Sequence, residues 1–192
     1  MRRLVALSVV VALTASACSG SARAKAAPPD GGPNPDVVPA VITPAYVDAV
    51  FKVLDHIDGD ASRALIAAHA VTPTVLRYIR AIYNDPLYAQ EVKIAQQSLG
   101  PDLSNVRRPP GDVKTTVVKL ISASPSCIFV ETSADYSAVL YKPGPPAASG
   151  YWALRPKQRG IDPDHLNPTP WALSFNAVYL TPTSIPDQCA GS

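Results

Sequence analysis

Asp55-His56-Ile57-Asp58-Gly59-Asp60 sets three carboxylates and an imidazole within one short run. Side chains of these types bind hard cations or move protons. A calcium loop needs several oxygens converging on one point, as in D-x-[DN]-x-[DN]-G closed by a later Glu. Here the acids fall at 55, 58 and 60 and no Glu completes the set. The run therefore reads as a helix exit at Gly59, with Asp60 capping a second helix. His56, His69 and His165 are the only histidines and lack the H-E-x-x-H spacing of a helical zinc site. No metal, no cofactor and no catalytic set is expected from this pattern.

A different chemistry stands at the amino terminus. Met1 is followed by Arg2, Arg3 and the apolar run LVALSVVVALTASA, residues 4–17. A positive start, a short apolar core and small residues before a break describe a secretory signal peptide, residues 1–17. The run is shorter than the roughly 20 residues that cross a bilayer as a helix. Ala15-Ser16-Ala17-Cys18 resembles the bacterial lipobox, in which small residues precede a cysteine that receives diacylglycerol. Ala15 stands where that motif usually has Leu. The thiol supplies the nucleophile that becomes a thioether, so Cys18 is read as the lipidation site. Two or three acyl chains hold a protein to a bilayer where one does not. The expected place is the extracytoplasmic face of the cell membrane, with the membrane itself as one partner.

Cys127 and Cys189 remain once Cys18 is assigned. An exported chain meets an oxidising compartment, so a disulfide between them is expected. No C-x-x-C and no nearby histidine cluster favours a metal pair or a reactive thiol. Removing residues 1–17 leaves fifteen basic against fifteen acidic side chains. That neutrality argues against nucleic acid, which attracts a basic patch, and against electrostatic adhesion to anionic lipid.

The elements that must carry these residues follow from the pattern. Residues 18–42 hold the cysteine and a Pro-, Gly- and Ala-rich tether, able to reach ~75 Å if extended at ~3.1 Å per residue. Residues 43–192 suit a single domain. Thr43-Pro44, Thr72-Pro73 and Asp85-Pro86 each pair a capping side chain with a proline at the first helical position. Val47, Val50, Phe51, Leu54 and Ile57 form an amphipathic stripe on the first helix. A short second helix is expected from Ala61 to about Ala70. A third aligns Val75, Leu76, Ile79, Ile82 and Tyr83, and a fourth runs from Leu87 to Leu99. Beyond Gly111 the pattern becomes β-branched and aromatic. Strands are expected at 113–123, 127–132, 137–142, 151–156 and 171–180. Helices first and strands later give an α+β domain with helices on one face of an antiparallel sheet.

This order resembles the NTF2-like cone fold of exported actinobacterial proteins and lipoproteins. The local cue is VFKVLDHIDGDASRALIAA, residues 50–68, with its Gly-Asp turn. The resemblance implies amino-terminal helices packed on a strongly curved antiparallel sheet. Cone-fold isomerases use a pocket Asp with a Tyr or a protonated acid. Tyr46, Tyr78, Tyr83, Asp135 and Tyr136 are the conceivable parts of such a set here, and no motif selects among them.

The aromatic residues point to binding. On the fourth expected strand Trp152 and Leu154 share one face, and Tyr151, Ala153 and Arg155 the other. On the fifth, Trp171, Leu173, Phe175, Ala177 and Tyr179 share a face. A curved sheet either fills its concavity with such side chains or leaves an apolar pocket. Trp152, Trp171, Phe175 and Tyr179 are the candidate ligand-binding residues. Residues 155–170 form a long loop, in which Lys157 and Arg159 either meet an acidic partner or form a rim beside Asp162 and Asp164.

The expectation is a lipid-anchored envelope domain that binds an apolar small ligand or a partner protein. The alternatives are a small cone-fold acid–base enzyme or a purely structural envelope lipoprotein. Replacing Cys18 with Ser should abolish acylation and release the chain from the membrane fraction, read by intact mass and fractionation. A membrane-bound Cys18→Ser chain would remove the anchor.

Overall fold

Thr43 and Thr72 begin helices as their side chains require. Each hydroxyl accepts from the backbone N–H three residues on, Tyr46 at 3.3 Å and Val75 at 3.3 Å, with proline at the first helical position. In the computed structural model, residues 32–99, 103–143, 150–178 and 185–191 are described. Cys18 and Tyr179 lie outside them. Three helices precede four strands: α1 (Pro44–Ala68), α2 (Pro73–Ile82), α3 (Leu87–Gln97), β1 (Lys114–Ser124), β2 (Cys127–Asp135), β3 (Gly150–Pro156) and β4 (Trp171–Val178). The strands form one antiparallel meander in the order β1-β2-β3-β4. The chain is therefore an α+β fold with its helices on one face of the sheet. Among the described residues no helix is long and apolar enough to cross a membrane.

Gly59 does not end the first helix. α1 continues through it for 25 residues, and Asp60 bonds Arg63 instead of capping a second helix. The glycine permits a close approach: a Cβ there would lie 2.1 Å from the Asp112 carboxylate. Asp112 in turn takes Arg63 at 2.7 Å and His56 at 2.8 Å. One glycine in a helix costs only about 1 kcal/mol, which tertiary contacts override. The "Gly-Asp turn" is thus a packing notch.

Two further expectations are corrected. Asp85 does not cap α3; its carboxylate receives Arg80 through two hydrogen bonds, at 2.8 and 3.0 Å, and α3 begins at Leu87 without a side-chain cap. Residues 137–142 are not a strand. The amides of Val139 and Leu140 both bond the Tyr136 carbonyl in a tight turn, and the segment pairs with residues 105–107 at one isolated bridge, Val106 to Leu140, reinforced by the Asn105 and Arg107 side chains. Local turn closure there outweighs the alternation of SAVLYK.

The core lies between the helices and one sheet face. Val47, Val50, Phe51, Leu54 and Ile57 of α1 meet Ile128, Val130, Leu154, Trp171 and Leu173 of the strands. Trp171 is fully buried and its Nε1–H donates to the Tyr46 hydroxyl at 2.8 Å. Val38 and Ile42, from the segment read as tether, also pack against this core.

The candidate aromatic face is broken by a bulge. Ala153 pairs with Phe175 and Leu154 with Leu173, so Ser174 is an extra residue on β4. Trp171 and Leu173 therefore face the helices, whereas Phe175 and Ala177 turn to the opposite face with Phe129 and Tyr151. Asn84 fixes the bulge by donating to Ser174 Oγ at 2.9 Å. Two more irregularities, at Val118 and Ile121, interrupt β1. Bulges bend strands and increase their twist.

Ile185 and Cys189 cover that opposite face. Cys189 is bonded to Cys127 across a sequence separation of 62, and Arg155 donates to the Gln188 carbonyl at 2.8 Å. The carboxyl segment is thus stapled over the second, smaller aromatic cluster. Replacing Cys189 with Ser should lower the unfolding free energy by about 4 kcal/mol, the chain-entropy value for such a loop. Urea denaturation without reductant measures it.

Candidate functional site

The sheet face and the helices do not meet everywhere. Between them lies a cavity of about 550 Å³. Its wall is mostly apolar, from Phe51 and Leu54 on α1, Ile79 and Ile82 on α2, Ala95 on α3 and Trp152 on β3. Segment 103–113 contributes Leu103, Val106 and Val113. Into this wall α1 places Asp55 and Asp58, three residues apart and so on one side of the helix. α3 adds Glu91, and the end of α2 adds Tyr83. No Lys, Arg or His is among the described lining residues.

Each polar group is held differently. Asp55 accepts from the Thr115 amide at 2.7 Å and from its hydroxyl at 2.8 Å. Glu91 accepts from Asn176 Nδ2 at 3.2 Å. The Asp58 carboxylate has no hydrogen-bond partner among the described residues. Tyr83 is 7 % exposed and its hydroxyl likewise has no partner among them. Its backbone is fixed, since it pairs with Leu173 in a single parallel bridge and its amide closes on Ile79 O. Thr132, also in the wall, donates to the Gly150 carbonyl at 3.3 Å.

Burial governs the titration of this set. Loss of water raises Asp55 from its ordinary 3.8 to about 6, against the opposing Thr115 hydrogen bonds. It raises Asp58 to about 6 as well, helped by the charges of Glu91 and Asp112. Glu91 is raised by burial. Tyr83 is pushed well above its ordinary value, by burial first and then by the charges of Asp58, Glu91 and Asp55. Its hydroxyl therefore stays protonated and lies within the field of the three acids. An apolar cavity with a few convergent polar groups of displaced pKa is the usual form of a ligand or active site.

The residues singled out in the sequence are distributed as follows. Trp152 lines the cavity, half-buried. Trp171 is in the solid core, Phe175 is on the opposite face, and Tyr179 is outside the described residues. Of the Tyr and Asp side chains considered for acid–base work, Tyr83 and Tyr136 line the cavity. Tyr46 is bonded to Trp171 in the core, Tyr78 is half-buried, and Asp135 is exposed and accepts from the Ser137 amide. Glu91 escaped notice because one acid on a short helix of mixed composition carries no signal by itself. Among the described residues no group of three His, Cys, Asp or Glu converges as a metal site. Lys157 does not face outward for a partner; it bonds Asp162 and the Asn167 carbonyl within its own loop.

No family model matches the chain, and no curated protein or solved structure matches it.

The raised acids make a sign-definite stability prediction. An acid whose pKa is higher in the fold than in the unfolded chain lowers stability above its folded value, and that penalty disappears as the pH falls toward 3.8. Asp112 behaves oppositely: burial raises it, but hydrogen bonds from His56 and Arg63 outweigh burial and hold it below the ordinary value, so its contribution fades only in stronger acid. Melting temperature should therefore be higher at pH 5 than at pH 8. Asp58→Asn should raise the pH 8 value and narrow the difference, measured by circular dichroism across that range. An unchanged difference would contradict the burial assigned to Asp58.

Proposed function

We propose that this chain is a lipid-anchored binding domain of the cell envelope, of NTF2-like cone architecture, that holds a small apolar molecule between its helices and its curved sheet. The cavity of about 550 Å³ carries the reading, because it is of the size that takes a small ligand and its wall is mostly apolar. The three-helix, four-strand order and the bulged strands are compatible with a cone. The amino-terminal pattern ending at Cys18 supplies the anchor, and the stapled carboxyl segment suits an oxidising compartment.

A second reading has its own support. Asp58 and Tyr83 place a proton acceptor and a hydrogen-bond donor in one apolar pocket, the pairing a small acid–base isomerase needs. Exchange separates the two: an enzyme of this kind would catalyse incorporation of solvent deuterium α to the carbonyl of a bound ketone such as 2-dodecanone.

Trp152 in the wall provides the probe for binding. Titration of the full-length chain with 1-dodecanol should change tryptophan emission saturably. Ala134→Phe, which fills part of the wall, should weaken binding roughly tenfold, since each excluded methylene is worth about 0.8 kcal/mol. Emission that neither saturates nor responds to Ala134→Phe would remove the cavity from the function.

A further inference from the structure

We propose that the cavity selects, among small apolar molecules, those carrying a protonated amine, with Asp58 as counter-ion, Glu91 beside it and Tyr83 as hydroxyl partner. This rests on the cavity-binding reading and adds the chemistry of the head group.

Two independent features point the same way. The first is uncompensated charge. Asp55, Asp58 and Glu91 share a cavity whose described wall contains no cationic side chain. Arg63, on the same helix, is engaged by Asp60 and Asp112 and does not line the cavity, and the exposed Lys52 and Lys93 do not line it either. The second is Tyr83, more than nine-tenths buried, with a hydroxyl that no described residue bonds and that senses the charges of Asp58, Glu91 and Asp55. A side chain this buried, on the cavity wall and with a hydroxyl that no described residue bonds, defines a polar end of the cavity.

The chemistry of the occupant follows from the inventory of donors and acceptors. Each Asp55 oxygen already accepts one hydrogen bond from Thr115, and Glu91 holds one from Asn176. What remains is acceptor capacity on Asp58 and Glu91, and the two-way hydroxyl of Tyr83. An ammonium group brings three donors and one positive charge, which suits acceptors that are anionic. A fatty carboxylate would add another negative charge to a site that already strains to hold its own. An alcohol satisfies one acceptor and leaves the charge uncompensated. A bare metal ion is disfavoured because no three His, Cys, Asp or Glu side chains among the described residues come together as ligands. The raised pKa values of Asp55, Asp58 and Glu91 agree with this account, since a cation in their midst would bring them down.

The test compares three probes of one chain length on the full-length protein at pH 8: dodecylammonium, 1-dodecanol and dodecanoate, each followed by tryptophan emission and by displacement of the alcohol. Dodecylammonium should bind roughly tenfold or more tighter than dodecanol, as hydrogen bonds to charged groups supply, and dodecanoate should be weakest. Asp58→Asn and Glu91→Gln should each lower the ratio of dodecylammonium to dodecanol affinity several-fold. Two variants are named so that a folding failure in one leaves the other decisive. Equal binding of amine and alcohol, or a preference that survives in both variants, overturns the amine selection and leaves the cavity reading intact. Failure of all three probes to bind overturns both.

Discussion

The sheet edge at β1 is closed by a helix. β1 is a terminal strand of the meander, so one row of its amides faces no strand. Asp55 takes the Thr115 amide at 2.7 Å and Asp48 takes the Val117 amide at 2.8 Å. The two acids are seven residues apart on α1, two turns along one side of the helix, and the two amides are two residues apart on one side of the strand. That match ties α1 to the rim of the sheet. It also blunts an edge that would otherwise recruit another strand. With α1 held at the β1 rim and α2 and α3 packed on β4, the cavity lies between these helices and the sheet, beside the 103–113 segment.

Polar side chains elsewhere in the interior are mostly satisfied by the protein, the Tyr151 hydroxyl on the opposite sheet face being an exception. Asn84 bonds Pro156, Ser174 and Gln158, joining the α2–α3 turn to the ends of β3 and β4. Asn167 bonds Ala81 and Trp171 while accepting from Thr169. Both asparagines are almost fully buried. Each ties a loop to a strand end, so the long 157–170 connection is held by its own network of Lys157, Asp162 and Asn167. Asp58 and Tyr83 stand apart from this pattern of completed bonds. Buried polar groups are ordinarily paired within the fold, and the exceptions call for a reason.

How much of this was legible follows from which signals are local. The Thr-Pro starts at 43 and 72 specify their helices, because cap and proline act over three residues. The strand segments after Gly111 were visible in their β-branched content, and the cysteine pairing in the count of cysteines. Gly59 misled because its role is set by Asp112, more than fifty residues away. The apolar spacing of Ile57, Ala61 and Leu65 did continue across it and was the stronger signal. The aromatic face of β4 could not be read by alternation, since a single bulged serine reverses the parity and only Asn84, far upstream, explains why it bulges there. A pocket was legible only as one of two outcomes for a curved sheet, with Trp152 as a candidate on its wall; its acids were not. It is a space between four segments, and no one of them shows what the others leave unfilled.

The acids of the cavity carry a cost that the core elsewhere avoids. In the core of α1 and α2 sequence and structure agree: the apolar stripe of α1 is buried and the Thr43 and Thr72 caps are bonded. The agreement fails where Asp55, Asp58 and Glu91 sit together in a mostly apolar wall. Such local violations are expected at functional sites, where stability is given up for an arrangement that a ligand completes. Anything that binds the folded chain and not the unfolded one stabilises it by mass action. Here a cationic occupant would act twice, through the apolar surface it covers and through the charge it neutralises. The like-charge repulsion that weakens the empty domain is then the source of its selectivity.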